Sequence, residues 1–359
     1  MFSRSRSPLV LIASSTALTA ALAVGVPALT APAPATAATP SIPDNLPIFP
    51  QVQENPSITV TFEDGTPAEG ATVHRGDVLL VHGSGFSPQA NKGGFPLPVP
   101  PGTSNGVFVL YSGFPDQWKP SENADSSTRK HPHDRMAWVM PKGTLDAVPQ
   151  QPIDMHRSIA RQAQPMNDDG TFTARLVVDP PEQTPGTNFG VYTYAGGGSV
   201  NPAEELYVPI NYSPEPGPNT PPAPTEDLVV KANELFTATK LAQGGVNPKD
   251  GAAKQDDAQT VSFSRDRAAE EAANDGIRRY KGSVTGSARF NVVELTVANP
   301  WIITLPNGTE ILTAETSDGN VGPDSLTRRP IGILSPANEN GAKTYGIGPL
   351  QYGELTEQQ

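Results

Sequence analysis

Along residues 57–212 apolar and polar side chains alternate with a period of two. Ile58, Val60 and Phe62 interleave with Thr59, Thr61 and Glu63 before the turn residues Asp64-Gly65. Phe172, Ala174, Leu176 and Val178 interleave with Thr171, Thr173 and Arg175 after Asp168-Asp169-Gly170. Strict alternation puts every second side chain on one face, as a half-buried strand requires, and Gly, Asp and Pro punctuate the ends. The runs at 107–111, 189–195 and 205–212 are short, rich in aromatic and β-branched residues, and bounded by Gly or Pro. Together they predict an antiparallel β-sandwich. The stretch from Pro115 to Met166 shows neither period apart from Trp138-Val139, and reads as an elaborated loop between strands.

The C-terminal part also reads mostly as strand: 283–290, 292–299, 301–305 and 310–315. Pro306-Asn307-Gly308 supplies a hairpin turn between the last two. The segment 264–279 breaks this pattern. Its Ala-Glu-rich centre predicts a short surface helix with Ser264 as cap, an Arg267–Glu271 pair at i,i+4, and a stop at Asn274-Asp275-Gly276. Residues 226–241 fit a helix through Leu228, Leu235 and Phe236, or a strand begun by Leu228-Val229-Val230.

Proline marks the boundaries. SPEPGPNTPPAPT at 213–225 carries no core pattern and favours extended backbone, so it reads as a semi-rigid linker, and 39–56 as a Pro-rich tether. Before the tether, Arg4 and Arg6 precede the apolar stretch 9–29 and the small residues Ala35-Thr36-Ala37-Ala38. That order predicts a signal peptide over 1–38, cleaved near Ala37 or Ala38, and a secreted or cell-surface, extracytoplasmic protein. The expected organisation is therefore signal peptide 1–38, tether 39–56, an immunoglobulin-like sandwich 57–212, linker 213–225 and a second β domain 226–355. The fold class is all-β.

Composition then removes chemistries. The 359 residues contain no cysteine, which excludes disulfide scaffolds, thiolate metal sites and thiol nucleophiles. A net charge of −12 argues against nucleic acid as a partner. All five histidines precede residue 157. His131 and His133 have H-x-H spacing, but Arg129, Lys130 and Arg135 beside them oppose a divalent cation, and a solvated loop is the simpler reading. His82 follows a strand pattern and is assigned no catalytic part. Gly83-Ser84-Gly85 and Gly196-Gly197-Gly198 lack the following helix or lysine of a phosphate loop. No catalytic motif is present, and an enzyme is not expected.

Aromatic residues remain: Trp118, Trp138, Trp301 and eight tyrosines, whose phenolates are known ligands of haem iron. The strings YKGSVTGSARF at 280–290, ELTVANPW at 294–301 and GTEILTA at 308–314 resemble the HtaA domain, found in haem-uptake proteins on the surface of Gram-positive bacteria. GSGF at 83–86, VFVL at 107–110, WKPSE at 118–122 with Ser126-Ser127, DGTF at 169–172 and NFGVYTYA at 188–195 resemble the immunoglobulin-like module that accompanies it. The resemblance implies an HtaA-like domain at 226–355, with haem as cofactor. Haem-carrying surface proteins or other cell-envelope components would be its partners. In the family two tyrosines and a histidine hold haem. Here no histidine follows His156, residues 226–241 keep Phe236 but no tyrosine, and the last family tyrosine corresponds to Tyr345 or Tyr352. The resemblance thus implies weak or lost haem ligation; the alternative is a structural or adhesive envelope module with no ligand.

Overall fold

The computed structural model describes residues 55–151, 154–231, 245–255, 260–288, 293–348 and 350–358. The signal peptide, nearly all of the tether, and the ambiguous stretch after Lys231 lie outside the described residues. So do Phe290 and Val292.

Residues 52–359 form one compact unit in which the strands build two separate cores. In the first, β1 (Ser57–Phe62), β3 (Val78–Ser84) and β7 (Phe172–Val177) make a three-stranded antiparallel sheet, with β2 (Thr72–His74) beside it. Facing it is a five-stranded sheet: β4 (Val107–Phe114), β5 (Met136–Pro141), β6 (Ala163–Met166), β8 (Asn188–Ala195) and β9 (Leu206–Pro209), in the order β6-β5-β4-β8-β9. Strand β10 (Asn211–Ser213) pairs in parallel with β2. The alternation closes the sandwich as its period demands. Leu79 lies opposite Leu176 and Val81 opposite Ala174, and these inward residues meet Val107, Val109 and Val191 of the other sheet.

Strands β4, β5 and β8 are buried on both faces, which is why they read as nearly continuous apolar runs. The second face is covered by the 115–166 segment, and this corrects the expectation of an elaborated loop. The segment contributes β5, β6 and the short helices α1 (Thr144–Ala147) and α2 (Met155–Ala160). Val148 and Ile159 from these turns pack on Phe114, Trp138, Tyr192 and Tyr194 as an outer core. Helices this short show no periodicity, so their two apolar anchors escape a pattern search.

The sheet around the second core contains β11 (Leu228–Lys231), β12 (Gly245–Lys249), β13 (Ala252–Lys254), β14 (Thr260–Arg265), β15 (Arg278–Lys281), β16 (Ser283–Ser287), β17 (Glu294–Thr304), β18 (Glu310–Ser317), β19 (Leu326–Leu334), β20 (Ala342–Ile347) and β21 (Leu350–Glu357). The path β17-β15-β14-β11-β21-β20-β19-β18 returns to β17 through a β17–β18 pairing, so eight strands close into a ring. The expected strands 292–299 and 301–305 are one strand, β17. It bulges at Asn299-Pro300, where the register shifts and Asn299 takes a φ of 47°. The β17–β18 turn forms at Pro306-Asn307-Gly308 as expected, with Gly308 at a φ of 82°.

Helix α3 (Arg267–Ala273) is present and exposed, but Asp266 caps it, accepting from the Ala269 amide at 3.1 Å. Ser264, the expected cap, belongs to β14 and donates its hydroxyl to the Gly251 carbonyl at 2.7 Å. Within this helix Glu270 accepts from Arg265 at 3.1 Å. The linker lies partly on the sandwich: the Asn219 amide donates to Asp77 at 3.1 Å, and Gly217 lies against the His74 ring.

Candidate ligand site in the barrel domain

Period two along the closing strands sorts side chains into lumen and exterior. Leu228, Val230, Val261, Phe263, Tyr280, Ile302, Leu312, Tyr345 and Leu355 all turn inward and form the second core. Tyr345 lies on β20 opposite Gly353 of β21. A Cβ at Gly353 would stand 2.7 Å from the phenol oxygen, so this glycine is what admits the ring. The hydroxyl donates to the Lys231 carbonyl over a long 3.4 Å. Tyr345 is 4% exposed, and burial pushes its phenol up to about 12.

Tyr352 occupies a different environment. The register between β20 and β21 slips after the Tyr345–Gly353 pair, leaving Tyr352 as the extra residue of a bulge. It is half-buried and packs on the edge of the same core. The two residues are thus brought to one pair of strands, with Tyr345 enclosed and Tyr352 half-buried.

A ferric haem needs a phenolate with open access on the side where iron approaches. Tyr345 does not fit that requirement, because the Lys231 carbonyl and the Gly353 backbone enclose its oxygen and burial favours the neutral phenol. Tyr352 is the remaining candidate, without a histidine from its own domain to support it.

One end of the lumen holds a charged group that the sequence reading did not single out. Arg278 donates from Nε to Glu357 and from Nη2 to Glu310, each at 2.6 Å. Lys343 pairs with Glu310 and lies 3.4 Å from Glu357, while Tyr280 donates to Glu357 at 2.7 Å. These residues come from β15, β18, β20 and β21, so besides the adjacent β20 and β21 the network ties strands that are not neighbours in the ring, β15 to β18 and β21 and β18 to β20. Burial raises Glu310, but its bonds to Lys343 and Arg278 outweigh that and leave it below the usual carboxylate range. A signal was available: each charge lies in phase with the inward apolar set, Arg278 with Tyr280, Glu310 with Leu312, Lys343 with Tyr345, and Glu357 with Leu355.

Among the described residues no group of three or more His, Asp or Glu side chains is placed to hold a metal. His82 bridges strands, with Nε2 3.2 Å from Thr61 Oγ1 and Nδ1 3.1 Å from Thr173 Oγ1. His131 lies 2.7 Å from the Arg129 carbonyl and 3.2 Å from Met136 Sδ.

No protein-family model matches this chain, and no curated protein matches it. Among solved structures it is similar to the C-terminal domain of HtaA from Corynebacterium glutamicum. The identity is 15% and the TM-score 0.25, over 36% of this chain and 92% of that one.

Proposed function

We propose that this chain is an exported, non-catalytic surface protein of the haem-uptake kind in which haem ligation through the barrel is weak or lost. The observation that carries this reading is the enclosure of Tyr345. Of the two tyrosines that answer to the family's last haem ligand, it is the one whose oxygen is taken up inside the core. The resemblance to the HtaA domain supports the family side of the reading, since its strings fall on the consecutive strands β15 to β18. On this reading haem is relayed through haem-carrying surface proteins, and residual contact with haem falls on Tyr352.

Titration of residues 39–359 with haemin, followed at the Soret band, tests it. The expected result is either no saturable shift or a weak one that Tyr352→Phe removes and Tyr345→Phe leaves unchanged. A tight, saturable shift lost in Tyr345→Phe overturns it.

One observation favours a second reading, a structural or adhesive envelope module without ligand: the barrel mouth is filled by paired charges rather than open. Retention of the chain by haem-free envelope material, with no retention by haem-loaded surface proteins, is the outcome that selects it.

A further inference from the structure

The sandwich and the barrel share no hydrophobic core. Both sandwich cores draw their side chains from residues up to Tyr212, and the barrel core draws its own from Leu228 onward. Domains of one chain move against each other unless a large apolar interface holds them. Here contacts of another kind join them, at two places.

The first is a charged contact built from both sides. On the sandwich, Asp154 caps α2 by accepting from the Arg157 amide at 3.0 Å. Arg157 and Arg161, four residues apart, then point from one face of the turn. Ile159 between them is buried in the outer core, which fixes the helix to the sandwich. On the barrel, the receptor is made by the start of β17 and the turn Gly322–Asp324. Gly322 has a φ of 63°, and a Cβ there would stand 2.8 Å from the Glu294 Cβ, so a side chain would push the turn away. Each arginine pairs with both Glu294 and Asp324, and Arg157 also donates to the Val321 carbonyl.

The second is the Pro-rich linker, fastened at each end. On the sandwich, β10 pairs with β2, the Gly217 amide donates to Thr220 at 2.8 Å, and Asn219 donates to Asp77. Gly76, at a φ of 93°, leaves room for the Asn219 carbonyl, which a Cβ would meet at 2.1 Å. On the barrel, the Thr225 amide donates to Ser264 at 2.8 Å. Between these anchors lie the exposed residues 221–224, Pro-Pro-Ala-Pro. Proline fixes φ and has no N–H to donate, but leaves ψ free. Such a stretch sets a spacing between two bodies without setting their mutual orientation.

We propose that the α2 arginines and the Glu294–Asp324 receptor are a latch between the two domains, with residues 221–224 as its hinge. Closed, the latch holds sandwich and barrel in one orientation. Opened, each domain keeps its own core and turns about the hinge. The Lys249–Asp134 pair also bridges the domains, but Lys249 is exposed, and such a pair adds little to the hold. Neither Tyr345 nor Tyr352 belongs to the latch, so its opening and haemin binding are read separately.

The chain has no cysteine, so Glu69→Cys and Glu339→Cys, at exposed turns of the two domains, take nitroxide labels at those positions alone. Double electron–electron resonance on doubly labelled residues 39–359 then measures the distance between the domains. One narrow distribution is expected when the latch residues are intact. Arg157→Ala/Arg161→Ala is expected to lose that single distance and give a broad distribution, with far-ultraviolet circular dichroism unchanged. Asp324→Ala, made on the barrel side, is expected to broaden the distribution in part, because Glu294 still holds both arginines. A broad distribution with the latch intact overturns the proposal, as does an unchanged narrow one in a folded arginine double variant. If that variant loses its fold, Asp324→Ala decides, and an unchanged distribution there overturns the latch.

Discussion

Arg161 holds Glu294 with a two-pronged ion pair, Nη1 to Oε1 at 2.9 Å and Nη2 to Oε2 at 2.6 Å, joining the sandwich insert to the first residue of β17. Arg157, one helical turn earlier on the same face, reaches Glu294 at 2.7 Å and the Val321 carbonyl at 2.7 Å. Asp324 completes the cluster by accepting from both arginines. Farther along the same junction Lys249 pairs with Asp134 at 2.8 Å. The Glu294 side chain is only 4% exposed, so these contacts are largely shielded from solvent. Glu294→Gln is expected to cost about 1–3 kcal/mol, because it removes one of the two carboxylates that hold the guanidinium groups and leaves Asp324 as their remaining partner. Urea unfolding of Glu294→Gln, Arg161→Ala and the double variant checks this, with an expected coupling energy of about 1–2 kcal/mol.

Acid should weaken the same junction. Burial pushes Asp324 up, but its bonds to Arg161 and Arg157 outweigh that and hold it below the usual range. Glu310 in the barrel mouth is lowered in the same way. A carboxylate lowered in the folded state contributes stability above its unfolded value, and loses it as pH falls through the folded one. The melting temperature is therefore expected to hold from neutral pH to about 4 and to fall below that. In Asp324→Asn the fall should be shallower.

Tyr345 separates packing from hydrogen bonding. Removal of its hydroxyl alone, in Tyr345→Phe, is expected to change stability by less than about 1 kcal/mol, since the bond to Lys231 is long. Tyr345→Ala opens a cavity in the barrel core and is expected to cost about 3–5 kcal/mol. Chemical denaturation measures both. The raised phenol adds an alkaline limb: stability is full below about pH 10, and is lost as pH rises toward the folded value of about 12. Tyr345→Phe removes that contribution.

Ile159 tests whether the 115–166 segment is core or loop. It is 3% exposed and packs in the outer core with Trp138 and Tyr192. Ile159→Ala is expected to cost about 2–4 kcal/mol in urea unfolding. A surface-loop position would show a change within about 0.5 kcal/mol.

The sandwich strands were legible because each carries its own period-two signal, and the turn at Pro306-Asn307-Gly308 because its residues are local. Strand β17 was read as two pieces because Pro300 looks like a stop. In the fold a positive φ at Asn299 and a bulge carry the strand past it. The α3 cap moved by two residues because Ser264 and Asp266 both satisfy the local rule, and only the Ser264–Gly251 contact decides between them.

What the residues determine by themselves is the all-β pattern, the Pro-rich break at 213–225, the lack of thiol chemistry and the scarcity of haem-ligating side chains after His156. Those properties are local or compositional, and a chain carries them before it folds. Tertiary structure alone decided that eight strands close into a ring, that Tyr345 is enclosed while Tyr352 stays half-buried, and that four charges meet across the barrel mouth. It also brought Arg157 and Arg161 to Glu294. Each of these depends on strand register and on contacts between residues far apart in sequence, and a one-residue change of register reverses which face a side chain occupies.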